Sequence, residues 1–319
     1  MEPMTQRFTI ELRRLQRDCH DVCCMCGRLF KTADTAHSGY AQDASPLYVG
    51  DCCASNLKET AARYYWQPRA YDIPGDDASL WRYMDFSKFV LLLKEKALYF
   101  ARADHVGDKF EGAKGVSTNR TLWDDHYLRF FQEAVRNPPP GHTCSLSDEE
   151  VQREAERLLR DLRTTGQRDL RNSYLSCWHE SETESEALWR LYCPPPCAGI
   201  AIHTNYASLN HSLGDDPDIA IGRVRYIDFR RAFAGVNDAI FRKRYSLSHE
   251  REVRAVIHDH KSQETVGLLR PVDLALLLDQ VVISPFTSTW FEAVLKETIS
   301  KFAVTIEVAT SELMLEPFY

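Results

Sequence analysis

In the stretch "YSLSHEREVRAVIH", Tyr245 to His258, the apolar residues Val253, Ala255 and Ile257 take every second place. An extended chain turns successive side chains to opposite faces, so this spacing predicts a strand with those three residues on a buried face. Glu250, Glu252 and Arg254 then share the other face. Two carboxylates about 7 Å apart on one face repel each other unless positive charge stands near them. The stretch is therefore either an exposed salt ladder or the floor of a cleft in which the acids do chemistry.

The same pattern predicts strands at "SLWRYMDF", "ALYFARA", "YLSCW", "AGIAIHT", "AIGRVRYI", "VVIS" and "VTIEVA". Helices are expected at "KFVLLLKEK", capped by Ser87, and at "SEALWRLY", "PVDLALLLDQ" and "WFEAVLKETISKFA". A further helix, "LSDEEVQREAERLLRDLR", carries a capping box from Ser147 to Glu150 and a staple from Leu146 to Val151. Early helices followed by clustered strands predict an α+β fold, with a mostly antiparallel β-sheet, split or continuous, and flanking helices. The absence of GxGxxG, Walker and GxSxG motifs removes the Rossmann, P-loop and serine-hydrolase classes.

Bulk composition narrows the picture further. A chain of 319 residues, 44% apolar, can bury one large core or two modest ones. The apolar runs "FVLLL" and "LALLL" are five residues each, far short of a bilayer span, so no membrane association is expected. "MEPMTQRFTI" lacks the layout of a signal peptide, which places the protein in the cytoplasm. A net charge of -7 argues against a generally basic nucleic-acid surface. Seven positive residues nevertheless gather between Arg223 and Arg244, either as solvated strand ends or as a rim for phosphates.

Six of the ten cysteines fall within the first 53 residues. In a cytosolic chain such crowding points to metal ligation. Cys23-x-x-Cys26 followed by Gly27 has the spacing of a zinc knuckle, and Cys52 and Cys53 offer a second half. The expected ligands of a structural zinc are Cys23, Cys26, Cys53 and either Cys19 or His20, with Cys52 as the alternative to Cys53 and His37 in reserve; the alternative is a set of reduced, buried thiols. This gives a cysteine-rich module over residues 1–66, a Pro- and Gly-broken linker over 67–78, and an α+β domain over 79–319.

The segments "LWRYMDFSKFVLLLKEKALYFARADHVGDKFEG", "YLSCWHESETESEALWRLYC", "GIAIHT", "VRYIDF" and "FRKRYSLSHEREVRAVI" resemble, in this order, a bacterial family catalogued as domain of unknown function 2971. The resemblance covers roughly residues 79–310 and leaves out the cysteine-rich start. Where the family has the acidic turn Asn-Asp-Pro-Phe-Glu, this chain has "GDKFE", keeping Asp108, Phe110 and Glu111. The family name supplies no activity.

The order of motifs also resembles that of ADP-ribosyltransferases: an early strand with an arginine, a second strand with an aromatic residue, and a late Glu-x-Glu pair. That resemblance implies NAD as substrate, with Glu252 stabilising the positive charge that builds on ribose and Glu250 handling the incoming nucleophile. Arg82 would grip phosphate or ribose and Tyr99 stack on nicotinamide, with Tyr83 and Arg254 also on the cofactor. Asp108, Glu111 and Trp189 would form a loop or acceptor site, or else simply hold the turn and the core. It further implies an unknown acceptor macromolecule, nucleic acid among the candidates, a bacterial toxin or antiphage defence role, and a partner or inhibitor protein. Cys177 could serve as a nucleophile only with a histidine in reach, and His179 lies on its face. The competing expectation is a zinc-stapled module that binds nucleic acid or a protein without turnover.

Overall fold

The computed structural model describes residues 6–9, 23, 28–31, 34–40, 46–53, 71–137, 144–216, 218–235, 239–259 and 265–319. The chain forms two compact units, each drawn from distant stretches of sequence. One comprises Met1–Tyr71, Gly112–Arg168 and Ile227–Arg242; the other comprises Asp72–Glu111, Asp169–Tyr226 and Lys243–Tyr319. No helix among the described residues is long and apolar enough to cross a membrane.

In chain order the strands begin with β1 (Gln6–Thr9), β2 (Thr35–Tyr40), β3 (Pro46–Gly50) and β4 (Ser79–Asp85). Helix α1 (Phe86–Glu95) leads to β5 (Ala97–Arg102), and α2 (Arg120–Arg136) and α3 (Asp148–Arg171) precede β6 (Ser173–Glu180). Then come α4 (Glu186–Tyr192), β7 (Gly199–Asn205), α5 (Tyr206–Ser212), β8 (Ile219–Arg223), β9 (Arg225–Ile227) and β10 (Arg242–Arg244). The chain closes with β11 (Glu252–His258), β12 (Gly267–Pro271), α6 (Leu274–Leu277), β13 (Gln280–Ile283), α7 (Phe291–Lys301) and β14 (Glu307–Thr310).

In the first unit β1, β2 and β3 pair antiparallel in that order. Helix α3 starts with the expected capping box: the Ser147 amide donates to Glu150 Oε2 at 2.8 Å and the Glu150 amide donates to Ser147 Oγ at 3.3 Å. Helix α2, which the apolar pattern did not announce, buries Trp123; its indole N–H donates to the Ala234 carbonyl at 3.3 Å.

The second unit is mixed α and β, built on a nine-stranded sheet that is antiparallel except where β13 meets β14. Its path runs β12-β5-β6-β4-β7-β13-β14, and β11 joins β6 to β8. On one face Leu80, Met84, Phe100, Trp178, Ile202 and Val253 pack against helical residues such as Phe89 of α1 and Leu295 of α7. The opposite face holds Trp81, Tyr83, Ala201 and Val282 against Leu188 and Trp189 of α4. Alternation along each strand sends side chains to the two faces in turn.

The sheet forks at β6. One edge of that strand is taken by β11 from Ser173 to His179. The other edge is shared: β5 pairs only with Tyr174 and Leu175, and β4 only with His179 and Glu180. Between them, Ser176 to Trp178 face a gap.

Local details depart from the pattern reading. Asp85, not Ser87, caps α1: its carboxylate accepts from the Lys88 amide at 3.0 Å, and the Ser87 hydroxyl donates to Asp85. A carboxylate also suits the positive end of the helix dipole. "AIGRVRYI" breaks at Val224 into two strands, "PVDLALLLDQ" contributes only the single turn of α6, and the last strand starts at Glu307 instead of Val304.

Glu250 does not lie on the strand with Glu252. Tyr245–Glu250 forms 3₁₀ turns and Arg251 adopts φ +39, left-handed backbone that ends any extended run before Glu252. Three hydrogen bonds fix this turn: the Arg251 amide donates to the Ser248 carbonyl at 3.2 Å, the Glu180 amide to the Arg251 carbonyl at 2.9 Å, and His179 Nδ1 to the Glu250 carbonyl at 2.6 Å.

Candidate functional site

A cavity of about 630 Å³ opens at the fork, a size suited to a small-molecule ligand. Its walls come entirely from the second unit. Arg82, Tyr83, Tyr99, Asp108, Glu111, Glu250, Glu252 and Arg254, separated by up to 172 positions in sequence, all line it. Residues of both sheet faces reach it, Trp178 and Leu98 from one and Cys177 and Glu252 from the other, because the missing strand pairing opens a way through.

On the β11 side the wall is a buried ionic chain. Arg254 is 1% exposed and grips Glu111 with two nitrogens, Nη2 lying 2.8 Å from Oε2. Its Nε also donates to Glu252 Oε1 at 2.6 Å. Glu252 Oε2 accepts from Lys243 at 2.9 Å, and the same ammonium holds Glu250. Three carboxylates thus share two cations, so the acids are neither an exposed ladder nor left to repel one another.

The ionisation of these groups follows from that arrangement. Burial alone would raise the Glu252 pKa; Arg254 and Lys243 together overcome it and hold the carboxyl at about 2. Burial outweighs Arg254 at Glu111 and moves that carboxyl upward. Lys243 is pulled above the ordinary lysine range, Glu252 and Glu250 prevailing over burial. The backbone N–H of Glu252 is capped by the Tyr226 hydroxyl at 2.9 Å, which fixes the first residue of β11.

Glu252 therefore has both oxygens engaged, whereas Glu250 has only Oε2 engaged among the described residues. Its side chain remains 12% exposed at the cavity wall.

Arg82 plugs the fork. Its Nη1 donates to Ser176 Oγ at 2.8 Å and Nη2 to the Tyr99 carbonyl at 3.1 Å, so one guanidinium bridges the two diverging strands. The guanidinium lies 5.5 Å from the Trp178 ring centre. No carboxylate partners it among the described residues, and burial lowers its pKa to about 10.

Other expected residues occupy the same cavity with less freedom. The Tyr99 ring is exposed, but its hydroxyl donates to the Val266 carbonyl at 3.3 Å. The ring lies so close over Gly267 that a Cβ there would stand 2.2 Å from it. The Tyr83 hydroxyl accepts from the Ser185 amide at 2.7 Å, and its ring meets Trp189 edge-on, 4.8 Å between centres. Trp189 is fully buried with its indole N–H on Glu184 at 2.7 Å; it supports Tyr83 and does not line the cavity. Asp108 Oδ1 accepts from the Phe110 amide at 3.0 Å and from Arg244 at 2.8 Å, holding the acidic turn.

Cys177 lines the cavity, but burial and the adjacent Glu252 raise its thiol pKa well above the usual range. His179 Nδ1 donates to the Glu250 carbonyl, and the thiol is hydrogen-bonded to Glu252. The sequence reading missed Lys243, which lines the cavity together with Tyr192 of α4. Lys243 was visible only as one charge among the seven between Arg223 and Arg244.

That basic stretch is largely occupied within each unit. Arg223 pairs with Glu180 at 2.6 Å, Arg230 with Asp228 at 2.8 Å and Arg244 with Asp108 at 2.8 Å, while Arg242 is buried.

In the first unit, the sulfurs of Cys23, Cys52 and Cys53 lie within 4.8 Å of one another. Cys19, His20 and Cys26 lie outside the described residues, as does the side chain of His37. The chain matches no family model, no curated protein and no solved structure.

Proposed function

We propose that the second unit is an ADP-ribosyltransferase-like enzyme that binds NAD in the fork cavity and transfers its ADP-ribosyl group to an acceptor. The observation that carries this reading is a guanidinium without a carboxylate partner, Arg82, in the same cavity as a carboxylate with one unengaged oxygen, Glu250. A pyrophosphate supplies the negative charge that Arg82 lacks, in a geometry matched to its planar fork. Ribose hydroxyls supply donors to Glu250, and the exposed rings of Tyr99 and Tyr192 offer flat apolar surface to nicotinamide.

In the reaction, the bond from ribose C1′ to the nicotinamide nitrogen breaks and its electron pair leaves with neutral nicotinamide. Positive charge grows on the ribose, and the Glu250 carboxylate, with one oxygen unengaged in the cavity wall, stabilises it more than the ground state. The acceptor's lone pair then forms the new bond to C1′ while its proton passes to Glu250. Glu252 keeps a different task from the one its motif suggests: held by two cations, it fixes Lys243 and through it Glu250. The macromolecular acceptor, a role in toxin action or antiphage defence and a restraining partner protein are what the resemblance to ADP-ribosyltransferases implies.

The experiment is to incubate purified protein with labelled NAD and a bacterial lysate. Wild type is expected to release nicotinamide and label an acceptor, and Glu250→Gln to do neither. Intact NAD with folded wild type, combined with salt-sensitive retention of nucleic acid, would instead support a binding module.

A further inference from the structure

Among the described residues before Tyr71, Cys23, Phe30, Ala36 and Val49 are buried apolar side chains.

Two loops bring thiols to one point. The Cys23 amide donates to the Arg28 carbonyl at 2.8 Å, which ties the cysteine's backbone to Arg28. The Cys53 amide donates to the Gly50 carbonyl at 3.0 Å, forming a turn at the end of β3 that has Asp51 and Cys52 at its tip. Gly50 permits the tight approach beneath this turn: a Cβ there would stand 2.7 Å from the Phe30 ring and 3.2 Å from Cys52 Sγ. All three sulfurs then fall within 4.8 Å of one another. Zinc–thiolate bonds of about 2.3 Å in a tetrahedron place sulfurs roughly 3.8 Å apart, so a small closure of the two loops brings these to ligand spacing.

We propose that Cys23, Cys52 and Cys53 together bind one zinc ion as thiolates. The sequence spacing left Cys52 and Cys53 as alternatives; the turn after Gly50 brings both to Cys23. Three thiolates select a soft or borderline ion such as zinc over magnesium or calcium. Cys23 is buried beneath the site and Cys52 is exposed at its rim, so the ion joins a buried thiolate to the surface turn. Binding releases the thiol protons, and the staple does not depend on any activity of the second unit.

The test uses the full chain, purified with zinc and then exchanged to cobalt. One zinc per chain and an intense sulfur-to-cobalt charge-transfer band are expected. Cys23→Ser, Cys52→Ser and Cys53→Ser should each weaken the band, and Cys197→Ser should leave it unchanged. Since a variant could fail to fold, the wild type is also alkylated with and without zinc and mapped by mass spectrometry. Zinc should slow modification of Cys23, Cys52 and Cys53 at least tenfold relative to Cys197. A band that survives both Cys52→Ser and Cys53→Ser, or equal alkylation of the three with and without zinc, overturns the proposal.

Discussion

Arg254 and Glu111 stand 143 positions apart in the chain, yet two nitrogens of the guanidinium meet both oxygens of the carboxylate in a place almost closed to water, the side chains being 1% and 3% exposed. This pair ties β11 to the acidic turn after β5. The charges were expensive to bury, so their removal singly is worse than their removal together.

Arg254→Met leaves Glu111 and Glu252 buried with one cation, Lys243, between the three acids. The expected loss is about 3–5 kcal/mol of unfolding free energy, read from urea or guanidinium titration. Adding Glu111→Gln to Arg254→Met should cost less than the two single losses combined, because the partner charge has gone. Additive losses would mean that the pair is not coupled in solution.

Glu250 and Glu252 are expected to separate when each is replaced by glutamine. Glu250→Gln removes a carboxylate with an unengaged oxygen at the cavity wall and should lower nicotinamide release by roughly 10²–10⁴-fold, with an unfolding midpoint near that of wild type. Glu252→Gln takes the counter-charge from Arg254 and Lys243 and should lower activity and midpoint together. Stopped-time assays of nicotinamide release, paired with denaturation curves, read both quantities. Equal activities of Glu250→Gln and wild type would remove Glu250 from the chemistry.

The distinction between these two acids was out of reach of the pattern alone. Val253, Ala255 and Ile257 do form the buried face of a strand, because period-two alternation is a local property that survives in any sheet. Extending the alternation back to Glu250 fails at Arg251, whose left-handed backbone is set by hydrogen bonds from Glu180 and His179, residues on another strand. Lys243 gave no local sign of burial: its ammonium is inside because two glutamates, seven and nine positions on, face it once the chain turns. The capping box at Ser147 was legible because its partners are three residues apart. The fork at β6 was not, since it depends on which strands share an edge.

Acid should weaken the second unit through Glu252. Its carboxyl is held at about 2 in the folded state and titrates near the ordinary glutamate value, about 4.3, when unfolded. The unfolded chain therefore takes up a proton first as pH falls, and the stabilisation is complete above pH 4–5 and disappears as pH drops toward 2. At neutral pH it amounts to roughly 3 kcal/mol. Urea titrations at pH 6, 4 and 3 should show this fall in wild type and a shallower one in Glu252→Gln. Parallel slopes in the two proteins would mean that Glu252 is not ion-paired in the folded state.

Cys177 offers a separate probe of the same wall. Its sulfur borders the cavity, but burial and the neighbouring Glu252 both disfavour the thiolate, which is the reactive form. Iodoacetamide at pH 8 should therefore modify Cys177 much more slowly in the folded protein than in urea. Glu252→Gln removes the second cause and leaves the first, so it should raise the folded rate without reaching the unfolded one. Peptide mapping after timed quenching measures all three rates. Modification of folded wild type at the unfolded rate would mean that the thiol is neither shielded nor beside a carboxylate, and the ionic chain of Glu111, Arg254, Glu252 and Lys243 would lose its place in the cavity wall.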